Sequence, residues 1–198
     1  MKGTVRRFEM ELQVLLTVPH SYCTSGDSTT NHYCDLTSTT SASTVGKHLS
    51  LLGLKWDLVT SDLWRGYCDA NRSWCSELPF RQRVRGKLGP NVLLLDIHSF
   101  PSGGFGNSGD QVVLLPTEDG DMRAISLQRR LISSGLNVRI LQGSKLNDVV
   151  DEGSKRVKYA LLIEFSEKLT PYELELASSS VAGWAYSIVG NIGTYGRK

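Results

Sequence analysis

The strongest strand signal in the chain is NVLLLDI, residues 91 to 97, and His98 follows it directly. A near-continuous apolar run of this length is typical of a central strand that is covered on both faces. Such strands belong to sheets that have helices packed on each side. The run therefore predicts an α/β fold and places a histidine at the end of a buried strand.

Further strand signals lie on both sides of this segment. They are residues 11 to 18, 56 to 60, 111 to 115, 137 to 141 and 157 to 165. Helices are predicted at residues 43 to 52 and 122 to 134, and another begins at Thr170, which is followed by a proline. This alternation predicts a mixed, mostly parallel sheet with helices on both faces. We expect residues 1–198 to form a single domain of this kind.

The charge balance argues against some classes of partner. The chain has 22 basic and 20 acidic residues, so no long-range field attracts it to nucleic acid or anionic lipid. No apolar run approaches the roughly 20 residues of a membrane-spanning helix. The amino-terminal residues lack a small-residue cleavage site and are interpreted as a strand entering the fold, not as a signal peptide. The basic cluster is interpreted as a solvated face, with an anion site as the alternative; it comprises Arg81, Arg83, Arg85 and Lys87.

The cysteines carry information about metal binding and compartment. The four are Cys23, Cys34, Cys68 and Cys75. None of them forms a C-x-x-C pair, so the spacing excludes a zinc ribbon. We expect free thiols and a cytoplasmic location. An even count also permits two disulfides if the protein is exported.

Three predicted strands deliver a chemically competent side chain near their ends. His20 follows the first strand, His98 follows the strand at residues 91 to 97, and Glu164 lies near the end of the strand at residues 157 to 165. In open α/β sheets the carboxyl ends of the strands line the binding crevice. We therefore expect these three groups to converge in space.

Two histidines suggest a catalytic zinc site, which takes three protein ligands and leaves one position for water. The polar loop at residues 21 to 43 offers candidates for the third ligand, namely Asp27, His32 and Asp35. We favour Asp35 because it lies nearest the predicted helix and is better anchored, and His32 is the alternative. Asp96 lies two residues before His98, so both side chains point to one face of the strand. A carboxylate there can orient a ligand histidine, and a buried ion pair elsewhere is the alternative.

Four segments resemble the motifs of one family. They are TVPH (17–20), WRGYCDANR (64–72), LLLDIHSF (93–100) and ALLIEF (160–165). The N-formylglutamate amidohydrolase family has similar motifs in the same order: PH, SR-x-x-x-D-x-NR, D-x-HS and a late glutamate on a strand. The match covers roughly residues 12–190, and the family's fold is similar to that of zinc carboxypeptidases. The resemblance implies a zinc-dependent hydrolase that cleaves an amide bond.

The resemblance also implies roles for individual residues. His20, Asp35 and His98 would bind zinc, and Glu164 would take a proton from water. A substrate carboxylate would be bound by Arg65, Asn71 and Arg72. A guanidinium group fits a carboxylate through two parallel hydrogen bonds, although Arg72 could instead form a structural ion pair with Asp69.

The implied substrate is a small molecule or short peptide that bears a carboxylate, such as an N-acyl amino acid. A carboxypeptidase-like or peptidoglycan-peptide hydrolase is one alternative, and an inactive binding module on the same fold is another. The chain lacks the family's Asp-Trp-His segment after the first histidine. It also has no histidine in GSKLNDVVDEGSK, residues 143–155, where the family has a histidine-containing substrate loop.

Overall fold

The computed structural model describes residues 13–23, 34–101, 105, 109–142 and 148–190. Within this part of the chain six strands form one sheet. They are β1 (Gln13–Val18), β2 (Lys55–Thr60), β3 (Val92–Phe100), β4 (Val112–Pro116), β5 (Val138–Ile140) and β6 (Tyr159–Ser166). Their order across the sheet is β2-β1-β3-β6-β4-β5, and of the five neighbouring pairs only β4 with β6 is antiparallel. The predicted mixed, mostly parallel sheet is confirmed.

Helices cover both faces of this sheet, as predicted. They are α1 (Ser38–Leu51), α2 (Pro79–Lys87), α3 (Met122–Ser133), α4 (Asp148–Ser154) and α5 (Pro171–Gly190). Buried side chains of α1, α3 and α5 form one core with the sheet, and those of α2 and α4 form a second core on the opposite face. In the described residues no helix is long and apolar enough to cross a membrane.

The central strand β3 is buried along its whole length. Because side chains alternate between the faces of a strand, Leu93, Leu95 and Ile97 join the core of α1, α3 and α5, and Leu94 joins the core of α2 and α4. Asp96 and His98 share the face of Leu94. The apolar run alone suggested that His98 follows the strand. The strand in fact continues to Phe100, so His98 lies within it.

Helix α2 was not predicted, and it changes the interpretation of the basic cluster. Phe80 and Val84 are buried in the second core, so the helix is amphipathic. Arg81 is only 3% exposed, and its Nη2 lies 2.6 Å from Glu152 on α4. Arg85 donates to the same carboxylate over 2.6 Å. The cluster is therefore not a uniformly solvated face, because a carboxylate from α4 pairs with its inner side.

The expectation of free thiols is wrong. Disulfides join Cys23 to Cys34 and Cys68 to Cys75, so none of the four cysteines is free. The Cα atoms are 5.2 Å apart in the first pair and 6.0 Å apart in the second, within the usual range for disulfides. Sequence spacing could not reveal this, because the pairing depends on how the loops at the carboxyl ends of β1 and β2 fold back.

Candidate metal centre

The structure brings His20, Asp35 and His98 together at the carboxyl end of the sheet. His20 lies two residues beyond β1, Asp35 lies three residues before α1, and His98 lies on β3, which pairs with β1. Their exposed fractions are 2%, 6% and 4%. One possible ligand atom from each residue lies within 4.8 Å of the others. The structure therefore brings together the three residues that the sequence analysis proposed as metal ligands.

The two histidines meet at the same carboxylate oxygen. Asp35 Oδ2 lies 2.8 Å from His98 Nδ1 and 3.3 Å from His20 Nδ1. The two imidazole rings meet edge to face, with their centroids 4.9 Å apart. Two atoms that each bind zinc at about 2 Å are separated by roughly 3 to 3.5 Å. The two distances to Asp35 Oδ2 are close to this spacing, so the arrangement is compatible with a single ion held by the three residues.

Each histidine contacts a further carboxylate through its other ring nitrogen. His20 Nε2 lies 2.8 Å from Asp69 Oδ1, and His98 Nε2 lies 3.1 Å from Asp96 Oδ2. A carboxylate that accepts a hydrogen bond from Nε2 keeps the proton there and leaves Nδ1 available to a metal. Asp96 is itself held by Thr17, whose Oγ1 donates to Asp96 Oδ1 over 2.5 Å. Two imidazoles, one carboxylate and these outer carboxylates together fit a catalytic zinc ion.

The electrostatics of the centre favour a cation. Burial tends to raise the pKa of Asp35, but His20 and His98 outweigh it and hold that pKa well below its usual range. Burial tends to lower the pKa of His98, but Asp96 and Asp35 raise it well above its ordinary value. The carboxylates thus stabilise positive charge between them, whether it belongs to a proton or to a metal ion.

Glu164 lies beside this cluster on β6. It is the register partner of His98, so the two side chains leave the same face of the sheet. Burial raises the pKa of Glu164 and, with Asp35 adding to the rise, brings it to about 7 despite the opposing effect of His98. A carboxyl group with such a pKa can both accept and release a proton at neutral pH.

The three residues assigned to substrate binding also lie at this site. Arg65 donates from Nε to Asp69 Oδ2 over 3.2 Å, and its Nη1 lies 3.9 Å from Asp35 Oδ1. Arg72 Nε lies 3.5 Å from Asp69 Oδ2. Both arginine side chains are 27% exposed. Asn71 is buried, and its side-chain amide lies 2.9 Å from His98 Nε2.

Sequence reasoning missed the part played by Asp69, which it considered only as a partner of Arg72. The carboxylate of Asp69 contacts both arginines, His20 and the backbone N–H of Asn71. Burial tends to raise its pKa, but His20 and Arg65 hold that pKa well below its usual range. The sequence shows that Asp69 lies two residues before Asn71. It does not show that Asp69 contacts His20, which is 49 residues away in the chain. The other ligand candidates, Asp27 and His32, lie outside the described residues.

Comparisons with known proteins support the fold. No protein-family model matches the chain, and no curated protein matches its sequence. The structure is similar to gene product Atu2144 from Agrobacterium tumefaciens, with 17% identity, a TM-score of 0.59, and coverage of 92% of this chain and 89% of that one. It is similar to the N-acetylmuramoyl-L-alanine amidase AmiC2 of Nostoc punctiforme, with 12% identity, a TM-score of 0.56, and coverage of 90% and 97%. It is also similar to a metallo-carboxypeptidase from Burkholderia cenocepacia, with 8% identity and a TM-score of 0.57. That match covers 97% of this chain and 60% of the carboxypeptidase. At these identities the comparisons show that this chain shares its fold with these three proteins, while the likeness to N-formylglutamate amidohydrolases rests on the sequence motifs.

Proposed function

We propose that this protein is a zinc-dependent hydrolase that cleaves an amide bond in a substrate bearing a carboxylate. One observation carries the proposal: two buried imidazoles and a carboxylate converge on one point, and Glu164 lies beside them on the neighbouring strand. The similarity of the fold to an amidase and to a carboxypeptidase is consistent with this chemistry. An N-acyl amino acid or a short peptide is the substrate class that the sequence motifs suggest.

The chain supplies a complete set of ligands and supports for the ion. His20 Nδ1, His98 Nδ1 and Asp35 Oδ2 would hold it, and Asp69 and Asp96 keep the two imidazoles in the required tautomer and orientation. When bound, zinc supplies a Lewis acid that polarises a carbonyl group and acidifies water.

Glu164 carries the proton in this mechanism. Its carboxylate takes a proton from the attacking water and later delivers that proton to the departing amine. A pKa of about 7, raised mainly by burial, allows both transfers at neutral pH. Because Glu164 lies on a strand and not on a loop, its position relative to His98 is fixed by the pairing of β3 and β6.

Arg65 and Arg72 would bind the substrate carboxylate. Both arginines are partly exposed, and both contact Asp69 through Nε, so Asp69 fixes the direction of the two guanidinium groups. A guanidinium group presents several donors in a planar fork that matches a carboxylate. The positive charge next to the metal centre would place the substrate's carboxylate beside the bond to be cut.

A substrate panel tests the proposal. Zinc-loaded protein is assayed with N-acyl amino acids, with peptides that have a free terminal carboxylate, with the same peptides amidated, and with a muramoyl peptide. We expect hydrolysis of at least one carboxylate-bearing class and loss of that hydrolysis when the carboxylate is amidated. Equal cleavage of the amidated form would contradict the role of the arginines. Protein that binds zinc but cleaves none of these substrates would favour the inactive binding module.

A further inference from the structure

The Cys23–Cys34 disulfide lies next to two of the metal ligands. Cys34 immediately precedes Asp35, and Cys23 follows His20 by three residues. The bond therefore connects the segment that carries one ligand to the segment that carries another. The second disulfide, between Cys68 and Cys75, closes the loop that carries Asp69, and Asp69 contacts Nε2 of His20.

Asp35 lies in a short segment, residues 34–37, whose contacts show what the disulfide contributes. On the carboxyl-terminal side, Leu36 N donates to Glu167 Oε1 over 3.0 Å and Thr37 N donates to Ser99 Oγ over 3.2 Å. These bonds anchor the segment to the ends of β6 and β3. On the amino-terminal side, among the described residues, the disulfide and a backbone hydrogen bond of 3.2 Å from Asp35 N to the His20 carbonyl connect the backbone of Asp35 to the end of β1, in addition to the 3.3 Å contact between the Asp35 and His20 side chains.

The position of Asp35 matters because its side chain is short. A shift of its backbone moves Oδ2 by a similar amount, while metal bonds tolerate departures of only about 0.2 Å. Ordering a flexible segment when the ion binds would cost conformational entropy, which a covalent link between the segments removes in advance. The disulfide is placed where it can keep Asp35 Oδ2 near both histidines before any ion arrives.

We propose that the Cys23–Cys34 disulfide is a positioning element of the metal centre, and that tight metal binding requires it to be oxidised. This inference rests on the metal site of the proposed function but not on any substrate. Disulfides persist in oxidising compartments and are rare in the reducing cytosol. The protein would accordingly act in an oxidising compartment, which replaces the cytoplasmic location expected from the sequence.

A double-mutant cycle tests the inference through metal affinity. Dissociation constants for Co²⁺ and Zn²⁺, and the visible absorption spectrum of the Co²⁺ form, are measured for the wild type, for Cys23→Ser/Cys34→Ser, for Asp35→Ala and for the combination. We expect the serine pair alone to weaken binding by about 10- to 100-fold, the range typical of groups that orient metal ligands. In the Asp35→Ala background the same pair should change the affinity by no more than roughly twofold, because the disulfide acts through Asp35.

The second disulfide provides the comparison. Cys68→Ser/Cys75→Ser affects the loop that carries Asp69. Any loss of metal affinity that it causes should therefore persist when Asp35 is replaced by alanine. Unaltered affinity in Cys23→Ser/Cys34→Ser, or an equal loss with and without Asp35, would overturn the inference and leave the metal site standing. A wild-type protein that binds no metal would overturn the metal site itself.

Folding is monitored by circular dichroism of each metal-free variant. If Cys23→Ser/Cys34→Ser does not fold, the folded, zinc-loaded wild type and Cys68→Ser/Cys75→Ser are treated with a phosphine reductant. Each disulfide oxidises one phosphine and becomes two thiols, and water supplies the oxygen atom of the phosphine oxide and the two thiol protons. Release of zinc from folded Cys68→Ser/Cys75→Ser, in which the Cys23–Cys34 disulfide is the one that can be reduced, supports the inference. Full retention of zinc by protein with reduced Cys23 and Cys34 overturns it.

Discussion

His98 and Glu164 are direct register partners on the neighbouring parallel strands β3 and β6. Their side chains leave the same face of the sheet side by side, and in the proposed function one binds the metal and the other carries the proton. Sites built on strands hold their geometry better than sites built on loops. The pairing of two central strands therefore fixes the position of the Glu164 carboxyl group relative to the His98 imidazole.

Replacing Glu164 by glutamine should separate catalysis from metal binding. The amide keeps the shape of the side chain but cannot accept the proton from water, so we expect kcat to fall by about 10²- to 10⁴-fold. Zinc content should stay at one ion per chain, because Glu164 is not among the three converging ligands. Turnover of the best substrate and elemental analysis of the same sample give the two quantities.

A matched control for this change is Glu118→Gln. Glu118 is exposed and follows β4, whose carboxyl end points away from the metal centre because β4 runs antiparallel to β6. The control should retain full activity. Retention of more than a tenth of wild-type activity by Glu164→Gln would show that another group carries the proton.

Much of this arrangement could be predicted from the sequence, because buried parallel strands appear as continuous apolar runs. Those runs located β3 and β6 and hence the convergence of His98 and Glu164. The third ligand was harder to place. Helix α1 begins at Ser38, five residues earlier than predicted, in a polar stretch typical of a loop. There Ala42 and Val45 pack into the core, and the hydroxyl groups of Ser41 and Thr44 donate to carbonyl groups one turn earlier. Tertiary packing, which a local pattern does not show, therefore stabilises a helix in a polar stretch.

Other features depend on contacts between distant segments, which a single sequence does not show. Helix α2 has only nine residues and five of them are charged or amide-bearing, so its two buried apolar positions gave little periodic signal. The pairing of the four cysteines depends on the three-dimensional paths of the loops, which the sequence does not show. The contact between Asp69 and His20 joins residues from different strand ends, and neither local pattern indicated the other.

Alanine at either ligand histidine should abolish stoichiometric zinc binding. Removing His20 or His98 leaves two of the three protein donors, one fewer than a catalytic zinc ion takes. Zinc content after dialysis against a weak chelator measures the effect. The matched control is His48→Ala on α1, whose Nε2 contacts Glu175 over 2.6 Å at the surface. This control should keep its zinc, and loss of zinc from it would indicate a general effect of histidine removal.

Asparagine at Asp69 or Asp96 should weaken the metal site without abolishing it. Each change keeps a hydrogen-bond acceptor for Nε2 but removes the negative charge, so we expect the metal affinity to fall by about 10- to 100-fold. Asp69→Asn should also raise KM for carboxylate-bearing substrates, because Asp69 orients Arg65 and Arg72. Asp96→Asn should leave KM nearly unchanged when zinc is saturating.

Metal titrations and steady-state kinetics of both variants check these expectations. Asp57→Asn serves as the control, since Asp57 pairs with Lys87 at the edge of the sheet. Equal effects of the two site variants on KM would contradict the separate role given to Asp69.

Glutamine at Glu152 should destabilise the fold at neutral pH. Arg81 is only 3% exposed, and Glu152 accepts hydrogen bonds from both Arg81 and Arg85 over 2.6 Å. Breaking a buried ion pair from one side costs about 3 to 5 kcal/mol. Because Glu152 is 32% exposed and glutamine keeps one acceptor oxygen, we expect a loss nearer about 2 kcal/mol in the free energy of unfolding.

This loss should depend on pH. The hydrogen bond from Arg85, together with the one from Arg81, outweighs burial and lowers the pKa of Glu152 in the folded protein. A carboxyl group with a depressed folded-state pKa adds stability above its unfolded-state pKa, and that stability disappears as the pH falls through the folded-state value. Urea unfolding of wild type and Glu152→Gln should therefore differ most at pH 7 and converge in strong acid. The exposed Glu77→Gln should differ from wild type by less than about 0.5 kcal/mol at either pH. A gap between wild type and Glu152→Gln that stays constant down to strong acid would mean that packing of the side chain, and not its charge, stabilises the contact between α2 and α4.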